Sequence, residues 1–177
     1  MRKIFASALL SLSLLGAGPS MAADTNMPSP KSMALQCAVL YGMMVGENAP
    51  HERSNSMLND QAIIMGTIYA IIENSENPGK TRENFSAMRD MVEQNLITQY
   101  QLDSDKVVDR LIQCEGWREE VILFVSTETK DLEDPSDNAA IQKVFSSVPG
   151  PKASYPLKGV SRLDVTLAVD KAFAKFQ

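Results

Sequence analysis

Two thiols, one imidazole and a short run of carboxylates are the side chains here whose types and spacing could do chemistry. Cys37 and Cys114 are the only cysteines. A redox pair would need a Cys-x-x-Cys spacing or a cationic neighbourhood to lower a thiol pKa, and neither is present. An even, minimal count reads instead as one structural disulfide, provided that the chain folds where thiols oxidise. Closing the loop between them, a sequence separation of 77, would restrict the unfolded chain by about 4.5 kcal/mol in the chain-entropy picture. His51 is the sole histidine and lies in the polar, Pro-containing stretch Glu47 to Ser54. It reads as a solvated loop residue: His51-Glu52-Arg53-Ser54-Asn55 lacks the second His of a zinc-protease helix. No Gly-x-Ser-x-Gly turn supplies a nucleophile for it to serve, and the nine glycines form no phosphate-cradling loop.

Glu115 and Glu119 stand four apart on one helical face beside Glu120, with Arg118 between them. Paired carboxylates of this kind can run glycan hydrolysis. A solvated acidic face is the simpler reading, and it makes Glu115, Glu119 and Glu120 the candidate partner-binding residues. Eight methionines remain beyond the leader. Met33, Met43, Met44, Met57 and Met65 lie near His51 in sequence, and Met88 and Met91 are three apart. Thioethers favour Cu(I), but several of these positions fall on apolar stripes, where Met fills an irregular core. No cofactor or metal is expected.

The leader sets the compartment. Arg2 and Lys3 precede a mostly apolar run from Ile4 to Leu15. Gly16, Gly18 and Pro19 break it, and Ser20-Met21-Ala22 offers small residues where a signal peptidase reads them. Residues 1–22 are therefore expected to be a cleaved secretory signal. The run is too short for a bilayer span, and no later segment reaches 18 apolar residues. The periplasm is the first expectation and full secretion the alternative. Loss of Arg2 and Lys3 leaves 15 basic against 22 acidic side chains, a net charge of −7. That balance opposes nucleic acid and anionic membranes and favours a neutral or basic protein partner.

The elements that must hold these residues follow from periodicity. Residues 23–31 read as a polar lead-in. Ser32 caps a helix from Met33 to about Val45, with Cys37, Leu40, Tyr41 and Met44 on one face. Leu58, Ala62, Met65, Tyr69 and Ile72 mark a second helix. Ile64, Ile68 and Ile71 widen its stripe to most of the circumference, so it is expected at the centre. Asn74 to Lys80 reads as a breaker and Thr81 as a cap. Phe85, Met88, Val92, Leu96 and Tyr100 mark a third helix. A fourth opens at Asp103 or Ser104 and carries Val107, Leu111, Cys114, Trp117, Val121 and Phe124, with Gly116 as a candidate bend. The expected fold is all-α, a small antiparallel bundle over residues 32–127 tied by the disulfide. Residues 128–177 read as a looser acidic and Pro-containing extension with a short helix near Ala140 to Val148. Its last stretch alternates like a strand at Leu163 to Val169 yet is assigned as helix, since a lone strand would have no partner. The body is expected to fold without this extension.

In layout alone, residues 32–127 resemble periplasmic acid-stress chaperones and periplasmic immunity proteins that block secreted toxins. No diagnostic motif accompanies the likeness, so it assigns no residue a role. Three functions remain. The first is a non-catalytic interaction protein acting on another exported protein. The second is a small-ligand or copper-binding bundle lined by residues such as Met65, Tyr69 and Trp117, and the third is a carboxylate-dependent hydrolase.

Overall fold

The computed structural model describes residues 27–45, 52–79, 82–134 and 136–177. They form six α-helices: α1 (Pro30–Met44), α2 (Glu52–Glu76), α3 (Arg82–Leu102), α4 (Ser104–Glu128), α5 (Asn138–Ser146) and α6 (Arg162–Phe173). Single 3-10 turns follow α4 and α6, and the described residues contain no strand. This is an all-α helical bundle with a Cys37–Cys114 bridge. Residues 1–22, expected to be a signal sequence, and His51 and Thr81 lie outside the described residues.

The centre of the bundle is α1 rather than α2, a correction to the sequence reading. Nine of its fifteen residues are buried, among them Met33, Leu40 and Tyr41, which have no exposed surface. The physical signal is the lack of any charged side chain from Ser32 to Met44. A helix apolar all round is stable only when surrounded. By contrast α2 buries Met65, Ile68, Tyr69 and Ile72 but leaves Ile63 58% and Ile64 38% exposed. Its apolar surplus is not spent inside the protein.

Local chemistry shifts several helix ends from their expected places. α1 starts at Pro30 because proline at the first position loses no hydrogen bond, and Ser29, not Ser32, caps it by accepting from the Ser32 N–H at 3.2 Å. α2 runs through Asn74 and Ser75 to Glu76, past the expected breaker. Ser75 Oγ donates back to the Ile72 carbonyl at 2.7 Å, and Lys31 pairs with both Glu73 and Glu76, fastening the end of α2 to the start of α1. The turn falls at Gly79, whose φ of +99° lies in the left-handed region. Between α3 and α4 a single extended residue, Asp103, breaks the helical path. The last stretch is the helix α6, opened by a capping box in which Ser161 and Asp164 each bond the other's backbone N–H.

The C-terminal segment does not lie loosely outside the core, as the sequence pattern suggests. Val169, Ala172 and Phe173 of α6 have no exposed surface and belong, with Val148, to the same apolar cluster as Cys37, Trp117 and Tyr100. Phe173 stacks on Tyr100 with ring centroids 4.7 Å apart, and Tyr100 Oη donates to Asp170 at 2.8 Å. α5 is tied to α2 by a 3.1 Å hydrogen bond between the hydroxyls of Ser75 and Ser146.

Candidate binding surfaces

Cys37 and Cys114 form the bridge, with Cα atoms 5.4 Å apart and both residues fully buried. They are staples of the core with no exposed sulfur to react. One helical turn further along each partner lie Tyr41 and Arg118. The Tyr41 phenol is pushed well above the ordinary tyrosine value, by burial first and by the nearby Glu115 charge second.

Each of the three carboxylates on α4 has a cation of this chain. Glu115 accepts from Arg118 at 3.0 Å, Glu119 from Lys158 at 2.6 Å, and Glu120 pairs with Lys152 at 2.8 Å while also accepting from Tyr155 Oη at 3.0 Å. Hydrogen bonds from Lys158 and Lys152 hold the Glu119 and Glu120 carboxyls below their ordinary range. The lysines come from residues 149–160, a non-helical strap laid along α4. Trp117 Nε1 donates to the Pro149 carbonyl at 2.8 Å, and Gln113 Nε2 to the Ala153 carbonyl at 3.0 Å. The Tyr155 ring lies on Gly116, so close that a Cβ there would meet Tyr155 Cγ at 2.2 Å. Gly116 thus serves as a seat for this ring. Burial pushes the Tyr155 phenol up to about 12. Exposed ion pairs contribute only about 0–1 kcal/mol each. The buried indole bond and the seated ring therefore hold the strap more than its lysines do.

Two hollows flank α4 on different sides. One is a crevice of about 380 Å³ between α4, α6 and the strap. The other is a groove of about 440 Å³ lined by Ile63, Ile64, Thr67 and Ile68 of α2, Val121, Ile122, Val125 and Ser126 of α4, and Phe145 of α5. No charged side chain lines the groove, and Ile122 is 40% exposed beside Ile63 and Ile64. Sequence reasoning passed over this surface, although the signal was present: an α2 stripe too wide for one face leaves apolar residues that the chain cannot cover.

The residues expected to line a ligand cavity are placed in the core. Met65, Tyr69 and Trp117 are core residues, at most 2% exposed, and line neither hollow. The methionines are dispersed: Met33, Met43 and Met44 are buried in α1, while Met57 and Met91 are exposed on α2 and α3. Among the described residues, no group of three or more His, Cys, Asp or Glu side chains is placed to hold a metal ion. Nor is any helix among them long and apolar enough to cross a membrane.

Compared with protein-family models, curated proteins and solved structures, the chain matches none.

Proposed function

We propose that this chain is an exported, non-catalytic interaction protein that acts in the periplasm on another exported protein, holding an apolar segment of it in the groove between α2, α4 and α5. The observation that carries the reading is a charge-free hollow at which three isoleucines from two helices keep 38–58% of their surface in water. Covering a fully exposed aliphatic side chain is worth about 1.5–3 kcal/mol, so completing the burial of Ile63, Ile64 and Ile122 supplies on the order of 2–4 kcal/mol toward binding. An amphipathic helix fits such a groove through an apolar stripe. The buried bridge and the absence of a spanning helix among the described residues agree with export after cleavage behind Ala22.

In this reading the net negative charge steers a basic or neutral partner to the surface and contributes less to final affinity. Glu115, Glu119 and Glu120 add to that field, each tempered by its own cation. The test is quantitative capture from an exported-protein fraction with the wild type and with the Ile63→Asp, Ile122→Asp double variant. One stoichiometric partner should bind the wild type, associate more slowly as salt rises, and be lost from the variant while helicity is kept. A partner retained equally by both proteins would move the interface elsewhere, and turnover of a substrate by the purified chain would replace the reading with a catalytic one.

A further inference from the structure

The crevice beneath the strap differs in character from the groove. Leu111, Ile112, Val165 and Ala168, all buried or half-buried, give it an apolar interior. Glu119, Asp164 and Lys158 are exposed at its edge, with Glu115 partly so. Among these lining residues three carboxylates face one ammonium. Counting Arg118, which pairs with Glu115, the rim keeps one negative charge. We propose that this crevice is a binding site for a small amphiphilic cation, an apolar body carrying one ammonium group. The body lies against Leu111, Ile112, Val165 and Ala168, and the ammonium exchanges with Lys158 at Glu119.

The chain itself supplies the template. Lys158 places an ammonium 2.6 Å from Glu119 Oε2, and its side chain is 71% exposed, so leaving that position costs it little burial. A volume of about 380 Å³ falls at the small end of the ~300–1,000 Å³ range of small-molecule sites. The combination of a half-buried apolar wall and a net-negative rim selects against alkyl carboxylates of the same length. This proposal concerns a surface separate from the α2/α4/α5 groove and stands or falls independently of it.

The test titrates the mature, oxidised protein with hexyl-, octyl- and decylammonium and with octanoate at neutral pH, reading affinity by calorimetry. One molecule should bind per chain, with about a fourfold gain for each methylene buried. Octylammonium should bind at least about fivefold more tightly than octanoate, and Glu119→Gln should erase that preference. Glu119 is exposed, so the variant keeps its helicity, and the Ile63→Asp, Ile122→Asp protein should bind octylammonium like the wild type. Equal affinity for octanoate, no binding at all, or a preference unchanged in Glu119→Gln would overturn the proposal.

Discussion

Phe173→Ala isolates the packing of the C-terminal helix on the bundle. The ring has no exposed surface, stacks on Tyr100 at 4.7 Å and meets Phe176 edge-on at 5.9 Å. Truncating a buried Phe to Ala costs about 3–5 kcal/mol, the transfer of the ring plus the cavity left behind. In a chain of this length each kcal/mol lowers the melting temperature by about 2–4 °C, so the variant should melt about 6–20 °C below the wild type. Leu163→Ala and Leu167→Ala are the controls: they sit on the same helix but are 66% and 59% exposed, and each should cost less than about 1 kcal/mol. Thermal and urea unfolding followed by circular dichroism, with the bridge intact, reads all three. If Phe173→Ala costs no more than the two leucine controls, α6 is not part of the core. A chain ending at Thr127 would lose Val148, Val169, Ala172 and Phe173 together. It should unfold without a sharp cooperative transition, whereas a melt like that of the full chain would restore an independent four-helix body.

Gly116→Ala gains about 1 kcal/mol of helix propensity but drives a Cβ into the root of the Tyr155 side chain. Lifting the ring forfeits the Tyr155–Glu120 and Lys152–Tyr155 hydrogen bonds, so a net loss of about 1–2 kcal/mol is expected, and a stabilised variant would refute the seating. Before reduction no thiol should react with an alkylating reagent even in denaturant, and reduction should cost about 2–5 kcal/mol of stability; two reactive thiols in the oxidised protein would remove the bridge. Because the folded Glu119 and Glu120 carboxyls are lowered, their contribution is complete above the ordinary value of 4.5 and fades as pH falls through the lower folded values. Because the indole bond and the seated Tyr155 ring hold the strap more than its lysines do, Trp117, the single tryptophan, should keep its emission as these exposed pairs fade, with only a small drop in stability. Emission that changes at acid pH before any helicity is lost would mean that the lysine pairs hold the strap after all.

The all-α fold, four long helices and the disulfide were legible because each leaves a local trace: apolar spacing of three and four, and two lone cysteines behind a segment that reads as an export leader. The placing of elements relative to one another was not. α6 carries apolar side chains on two sides, Leu163 and Leu167 against Val169 and Phe173, and periodicity cannot say which side meets the core. The central position of α1 was readable from its uncharged run, but the larger number of isoleucines in α2 drew attention away from it. The α4 carboxylates read as a free acidic face because Lys152 and Lys158, which answer them, lie more than thirty residues further along. The groove at Ile63, Ile64 and Ile122 exists only once two helices have been set side by side.

The central claim is that the α2/α4/α5 groove is where another exported protein is held. A photo-crosslinking side chain placed singly at Ile64, at Ile122 and, as a control, at exposed Gln94 of α3 tests it in the intact cell envelope. Discrete adducts with one and the same protein from positions 64 and 122, absent from position 94, are the expected result. No adduct from either groove position, or the same adducts from all three, would contradict the claim.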